Sequence, residues 1–310
     1  MAPLVQTVAI VGTGVVGRSW ARVFSRAGCA TRLYDGEPAQ VERALAWLAE
    51  CAADEAAEGI DPAGAGPITA HRDLAEALAG ADYVQESSTE RLPLKQALFA
   101  DLERFAAPGA ILASSTSALD PTAIASGLAT AARCVVAHPV NPPHVIPAVE
   151  IVPGRATDPA TVERTAAIMR AVGQTPVIMN FYLNGFLLNR MQAALLQEAV
   201  YLVESGAADV EAVDAVIRDG LGLRWALMGP FGVGNTNADG GIREYFARYG
   251  GTLRGIMDEL GPLPALDDAQ IERLGRSTDA MVGERTRPAI LAWRDRLIRQ
   301  IVRLKRAAQD

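Results

Sequence analysis

The sequence is short of lysine, histidine and cysteine. Its 310 residues hold two lysines, Lys95 and Lys305, three histidines and three cysteines. Cys29, Cys51 and Cys134 are odd in number, widely spaced and without a CxxC pair. That pattern argues against a disulfide framework and a structural zinc site, so no metal is expected and a reducing cytoplasm is the natural setting. A long uninterrupted apolar run is also missing. The most apolar stretch, Leu183–Val203, carries Asn184, Asn189, Arg190, Gln192, Gln197 and Glu198, and reads as a buried helix rather than a membrane span. No signal peptide precedes the first motif, because an apolar strand pattern begins by Leu4. There is no basic surplus either. The net charge of -7 gives no reason to expect nucleic acid or an anionic membrane as partner. The arginines between Arg287 and Arg306 read as a solvated face or a dimer rim.

What is present has a globular composition, half hydrophobic and 21% charged, with length enough for two domains. Residues 4–11 read as a buried strand, Val15–Arg26 as a helix stopped by Gly28, and Ala30–Tyr34 as a second strand ending in Asp35. A helix over Ala39–Glu58 and a loop around Pro62–Pro67 come next. Helix and strand then alternate, with strands at Asp82–Gln85, Ala110–Ala113, Arg133–Ala137, Val149–Val152 and Pro176–Met179. Such alternation predicts an α/β fold, a Rossmann-type, doubly wound and mostly parallel sheet. Beyond about residue 181 the strand signal ends. Residues 183–205, 209–219, 239–260, 267–282 and 284–307 read as helices, so the expected division is 1–181 and an all-α 182–310.

The turn after the first strand is Gly12-Thr13-Gly14-Val15-Val16-Gly17. Alone, GxGxxG is a weak signal. Here a strand precedes it, a helix succeeds it, and an acid closes the next strand. Gly12 permits the tight turn, Gly14 lets a pyrophosphate approach the backbone, and Gly17 allows close packing of helix on strand. The helix start beyond it offers free N–H groups to phosphate. Asp35, 18 residues past Gly17, suits the ribose hydroxyls and repels a 2′-phosphate. The expected cofactor is NAD, and the alternative is a Rossmann-like fold without dinucleotide.

Four further segments stand out: Ser114-Ser115-Thr116-Ser117 and the run from Ala137 to Pro142, each after a strand, then Val149 to Val152, and Gly185 to Arg190 at the start of the helical half. Oxidising a secondary alcohol needs a base for the hydroxyl proton, and histidine titrates in the right range. His138 is the candidate, with Glu150 able to orient its ring. Ser117 can meet the reacting oxygen or the nicotinamide, and Asn189 can polarise a substrate. Each has a plainer reading: a packed loop histidine (as for His71 and His144), an ion-paired glutamate, a turn-capping serine.

Taken together these segments resemble the 3-hydroxyacyl-CoA dehydrogenase superfamily, in the branch of lambda-crystallin and L-gulonate 3-dehydrogenase. The likeness runs from Val11–Ala21 through Ser114–Ser117, Ala137–Pro143 and Gly185–Arg190 to Gly220–Pro230 and Trp293-Arg294-Asp295. The resemblance implies His138 as base, Glu150 as its partner, and Ser117 and Asn189 as substrate contacts. It also implies that Glu90 and Lys95 lie near the nicotinamide ribose, and that the chain forms a homodimer through its C-terminal domain.

The expected substrate is a small 3-hydroxy acid, gulonate-like or related. Arg224, ahead of Trp225, is able to pair with a free carboxylate or to serve in a structural ion pair. Asn141 and Phe231 are further candidate substrate contacts. The alternatives are a 3-hydroxyacyl-CoA, L-carnitine, or a 3-keto ester. One departure stands out: where gulonate-like members carry Glu-Thr after the Gly-Pro, this chain has Phe231-Gly232-Val233-Gly234, which predicts a reshaped, more apolar or more mobile pocket. A 6-phosphogluconate-like dehydrogenase needs a lysine on the long helix, and Leu183–Val203 has none. A recruited, crystallin-like NAD-binding protein is the non-enzyme alternative.

Overall fold

The computed structural model describes residues 4–60 and 64–308. Part of the loop expected at Pro62–Pro67 therefore lies outside the described residues. The chain divides into two compact units, Met1–Asn189 and Arg190–Asp310.

Among the described residues of the first unit, eight strands form one sheet. They are β1 (Thr7–Val11), β2 (Ala30–Tyr34), β3 (Ile68–Ala70), β4 (Tyr83–Glu86), β5 (Ile111–Ser114), β6 (Cys134–Pro139), β7 (Ala148–Pro153) and β8 (Thr175–Ile178). Their order is β3-β2-β1-β4-β5-β6-β7-β8. Every neighbouring pair is parallel except β6 and β7. The order reverses between β1 and β4, the position where doubly wound sheets bind ligands at the carboxyl ends of their strands.

Helices α1 (Val15–Arg26), α2 (Pro38–Ala57), α3 (Leu74–Leu78), α4 (Leu92–Phe105), α5 (Pro121–Ile124) and α6 (Pro159–Ala171) cover the sheet. Successive side chains of β1 point to opposite faces. Val8 and Ile10 join one core with Trp20, Phe24 and Leu33, while Ala9 and Val11 join the other with Val84, Phe99 and Leu112. A strand apolar on both sides is fixed in the middle of the sheet, and burial of each large side chain contributes about 1.5–3 kcal/mol. Helix starts are set by local chemistry. Asp120 and Asp158 each stand before a proline and accept an N–H of the first turn, from Thr122 and Ala160.

The second unit is helical. It holds most of α7 (Leu188–Glu204), then α8 (Val210–Ala215), a π-helical turn (Val216–Leu221), α9 (Gly222–Trp225), α10 (Pro230–Thr236), α11 (Gly241–Asp258), α12 (Asp268–Val282) and α13 (Arg287–Ala307). The expected α/β fold succeeded by helices is thus the fold observed.

Three details differ from expectation. β3 is a three-residue edge strand with little buried side chain, so it carried no apolar signal. β7 runs antiparallel, which alternation alone does not reveal. The stretch Leu183–Val203 is not a buried helix. It becomes helical at Leu188, and Val200 is the buried residue of α7, with Met191, Leu195 and Leu196 exposed. Leu188, Met191, Leu195, Ala199 and Leu202 share one side of the helix, so an apolar side is present, and Met191 and Leu195 on it are exposed.

At Gly232 and Gly234, where a reshaped pocket is expected, the local packing is close. A Cβ on Gly234 would stand 2.8 Å from Ile242 Cδ1, and one on Gly232 3.1 Å from Met228 Cβ. Glycine at 234 lets α10 lie close on α11.

Candidate active site

The glycine turn joins β1 to α1. Gly12 has φ +90°, and a Cβ there would sit 2.7 Å from the Ser87 backbone. A Cβ on Gly17 would fall 1.8 Å from Gly12 O. A Cβ on Gly14 meets nothing within 4 Å. Two glycines are therefore demanded by the fold, and the third faces open space. α1 begins after Gly14 with no side-chain cap, so its first-turn amides are left for a ligand. Val15 is exposed there, and Val16 packs on the core.

Asp35 lies just past β2. Its Oδ2 accepts from Thr13 N at 2.7 Å and Thr13 Oγ1 at 3.2 Å, and its Oδ1 from Glu37 N at 3.0 Å. A cavity of 580 Å³ beside it is lined by Gly12, Gly14, Tyr34, Asp35 and Ser87, among others. The bare backbone, the uncapped helix and the carboxylate in one cavity fit the pyrophosphate and ribose of a dinucleotide.

The serine-rich run after β5 sorts itself by hydrogen bonding. Ser114 Oγ donates to Glu86 Oε2 at 2.6 Å. Ser115 Oγ accepts from Trp20 Nε1 and Gln85 Nε2 at 3.2 and 2.7 Å. Thr116 Oγ1 donates to Glu90 Oε1 at 2.5 Å. Ser117 is exposed, with its N and Oγ on the same Glu90 oxygen at 2.8 and 3.3 Å. Ser114, Ser115 and Thr116 are committed to internal hydrogen bonds, and Ser117 is the one left at the surface.

His138 and Glu150 are 12 residues apart but directly opposite in the antiparallel β6–β7 register. Side chains so paired point to the same face within contact distance. His138 Nδ1 lies 2.8 Å from Glu150 Oε2, and both residues are buried. A carboxylate there accepts from an N–H at Nδ1, and in the neutral ring with its proton on Nδ1 the acceptor is Nε2. The ring packs edge-on against Phe186 at 5.3 Å. Phe186 has φ +49°, a left-handed conformation that costs a non-glycine residue about 1–3 kcal/mol. Its fully buried ring beside His138 and Tyr182 offsets that cost.

Glu150 has a second task. Its Oε1 accepts from Leu187 N at 2.7 Å and Leu188 N at 2.9 Å, at the start of α7. Burial pushes its pKa up, but the hydrogen bonds from His138, Leu188 and Leu187 together outweigh burial, and the carboxyl titrates below its ordinary 4.5. Asn189, next along, donates from Nδ2 to Ser117 O at 3.0 Å, within the first unit.

Glu90 is half-exposed and Lys95 is buried. Lys95 Nζ donates to both oxygens of Glu86, at 2.8 and 2.9 Å, and stands 3.5 Å from Glu90 Oε2. Burial pushes the Glu90 carboxyl up, while Thr116, Ser117 and Lys95 together bring it below its ordinary value. Asn141 is exposed in the loop between β6 and β7. Arg224 and Phe231 are exposed in the second unit, and Arg224 has no ion-pair partner among the described residues. Sequence reasoning missed Glu86, Thr13 and Phe186. Glu86 had one visible signal, an acid at the end of a strand, the same place that Asp35 takes after β2.

Residues 7–181 match the model of the 3-hydroxyacyl-CoA dehydrogenase NAD binding domain, and residues 185–280 that of its C-terminal domain. The chain belongs to the 3-hydroxyacyl-CoA dehydrogenase family. This family member is 41% identical to the lambda-crystallin homolog of Bos taurus over 306 residues, 96% of this chain and 95% of that one. It is 36% identical to the L-carnitine dehydrogenase of Streptomyces griseus over 314 residues, 99% and 93% of the two chains. A solved 5-formyl-3-hydroxy-2-methylpyridine 4-carboxylic acid 5-dehydrogenase, an NAD+-dependent dismutase, has a TM-score of 0.83 and 28% identity, covering 98% of this chain and 99% of its own. The expected family and branch are thereby met. As a 3-hydroxyacyl-CoA dehydrogenase family member the protein is an NAD-dependent oxidoreductase acting on CH–OH groups.

Proposed function

We propose that the protein interconverts a small 3-hydroxy acid, gulonate-like or related, and its 3-keto form, with His138 as the general base. The observation that carries this reading is the His138–Glu150 pair, buried at the carboxyl end of β6 beside the strand that leads to Ser117. NAD, when bound, supplies the hydride acceptor. His138 Nε2 takes the hydroxyl proton of the substrate. Glu150 holds the ring in the required tautomer and favours the imidazolium once formed. Ser117 hydrogen-bonds the reacting oxygen or the nicotinamide, Asn189 polarises the substrate, and Glu90 meets the nicotinamide ribose. Gly12, Gly14, Val15, Val16, Gly17 and Asp35 form the rest of the cofactor site, and Asn141 and Phe231 contact the substrate.

The substrate reading rests on charge. Arg224 is an exposed arginine with no ion-pair partner among the described residues, suited to a free carboxylate. On this reading residues 1–181 hold the cofactor and 182–310 supply substrate contacts and a homodimer interface. The exposed Met191, Phe246, Ile256 and Leu304 of the helical unit support self-association. Free, buried cysteines suit a cytoplasmic setting, and among the described residues no helix is long and apolar enough to cross a membrane.

NADH absorbance with a panel of 3-hydroxy acids, L-carnitine, a 3-hydroxyacyl-CoA and 3-keto esters tests the proposal. Turnover of a free 3-hydroxy acid, lost in His138→Ala and raised in KM by Arg224→Ala, is the expected result. Turnover of the CoA thioester alone overturns the substrate class. NAD binding without turnover of any member favours a crystallin-like binding protein.

A further inference from the structure

Ser87 lies just past β4, at the point where the strand order reverses. It lines the 580 Å³ cavity together with Gly12, Gly14 and Asp35. Its backbone closes on Gly12, where a Cβ would be 2.7 Å from Ser87 C. Tyr83, Gln85 and Ser87 alternate along the chain, so they point to one face of the sheet. Hydrogen bonds join them to α1, β5 and β6.

Tyr83 and Gln85 are fully buried. Burial pushes the pKa of the Tyr83 hydroxyl up, so it stays protonated. It donates to Gln85 Oε1 at 2.8 Å. Gln85 Nε2 donates to Ser115 Oγ at 2.7 Å and to Ala137 O at 3.3 Å. A carbonyl only accepts, so Ala137 fixes the amide with its nitrogen on that side. Trp20 Nε1, which can only donate, reaches the same Ser115 Oγ at 3.2 Å. Ser115 Oγ stands 2.8 Å from Ser87 Oγ.

Counting hydrogens gives the direction of that last contact. A serine hydroxyl has one hydrogen and two lone pairs. Trp20 and Gln85 fill both lone pairs of Ser115. The Ser115 hydrogen therefore goes to Ser87, and Ser87 accepts it. The hydrogen of Ser87 is left over, and among the described residues its Oγ has no further partner. The neighbouring hydroxyls differ. Ser88 and Ser114 donate to Glu86, and Thr116 donates to Glu90. Ser87 thus brings a spare donor to a cavity whose other features are bare glycine backbone and an uncapped helix start.

We infer that Ser87 is a cofactor-binding residue whose hydroxyl donates to a pyrophosphate or ribose oxygen of the dinucleotide, and that Ser115, held by Trp20 and Gln85, is a positioning residue that sets this direction. The inference rests on the reading of the cavity as the NAD site. It gives the polar core behind the sheet a role at the cofactor, because Ser115 can act on the ligand only through Ser87.

Fluorescence titration of NADH without substrate makes the test. Ser87→Ala should raise the NADH dissociation constant about tenfold, and Ser87→Thr, which keeps the hydroxyl, should stay within about threefold of wild type. Unchanged NADH affinity in Ser87→Ala overturns the inference, and so does an equal loss in Ser87→Thr. Competition by ADP locates the acceptor. ADP weakened as much as NADH places it on the adenosine diphosphate half, and ADP unchanged beside weakened NADH places it on the nicotinamide ribose. Ser115→Ala should lower the melting temperature, because Trp20 and Gln85 lose their shared acceptor, and should weaken NADH binding by a smaller factor than Ser87→Ala. The double variant Ser87→Ala/Ser115→Ala should bind NADH no more weakly than Ser87→Ala alone. Additive losses overturn the positioning role of Ser115. A silent substrate panel with weakened binding in Ser87→Ala counts against the proposed reaction only, and a working panel with unchanged binding counts against this inference only.

Discussion

Exchanging Glu150 for glutamine alters charge without altering shape, and the hydrogen-bond geometry sets the consequence. Oε2 faces a ring N–H of His138 at 2.8 Å, and Oε1 faces two backbone N–H groups at 2.7 and 2.9 Å. A carboxylate accepts on both sides. An amide accepts on one side only. With its oxygen toward Leu187 and Leu188, its NH₂ meets His138 Nδ1 and forces the proton onto Nε2, where the base must be free. With its oxygen toward His138, its NH₂ opposes two backbone donors at the start of α7. The first arrangement keeps two hydrogen bonds and is favoured. The loss comprises one charge-assisted hydrogen bond to the imidazolium, about 1.5–3 kcal/mol, and a misdirected ring worth about 1–3 kcal/mol more. The sum, about 2.5–6 kcal/mol, predicts a kcat lowered about 10²- to 10⁴-fold. Steady-state kinetics on the accepted substrate, with NADH fluorescence for cofactor affinity, make the measurement. NADH affinity should hold within about threefold, since Glu150 does not line the cofactor cavity. A kcat within about threefold of wild type would refute the assignment of His138 as an oriented base.

Two other outcomes are expected at the same site. Gly14→Ala should keep the wild-type melting temperature and weaken NADH binding about tenfold or more, because its Cβ enters open space where phosphate belongs, whereas Gly17→Ala, with Cβ 1.8 Å from Gly12 O, should destabilise the fold itself; equal melting temperatures for the two would contradict this. Glu150 and Glu90 titrate below their ordinary 4.5, so they stabilise the native state above the unfolded-state pKa and lose that contribution as pH falls through their native values. Acid unfolding monitored by circular dichroism should therefore begin at higher pH in Glu150→Gln than in wild type, and coincident transitions would show that the depressed carboxyl contributes nothing.

Much of this site was legible before any coordinates. The glycine turn, Asp35 and the strand-helix alternation each carry a local signal, because phosphate binding needs bare backbone and a helix start. The pairing of His138 with Glu150 was open to suspicion from chemistry, but its cause is the antiparallel turn of β7, and direction leaves no trace in composition. Ser117 was singled out in the sequence, but the partners that occupy Ser114, Ser115 and Thr116 were not visible there, since they depend on what the neighbouring segments present. Lys95 drew notice through the scarcity of lysine, yet its burial is a tertiary fact. β3 escaped notice because an exposed three-residue edge needs no apolar pattern.

The carboxylate of Asp35 holds the Thr13 amide as well as facing the cavity. Coenzyme preference and the shape of the glycine loop are therefore a single variable in this protein. An exchange at Asp35 made to admit a 2′-phosphate also withdraws the acceptor from the loop that must receive the pyrophosphate of either coenzyme. A change of preference has to rebuild that acceptor elsewhere, with Thr13 the first residue to be redesigned alongside it.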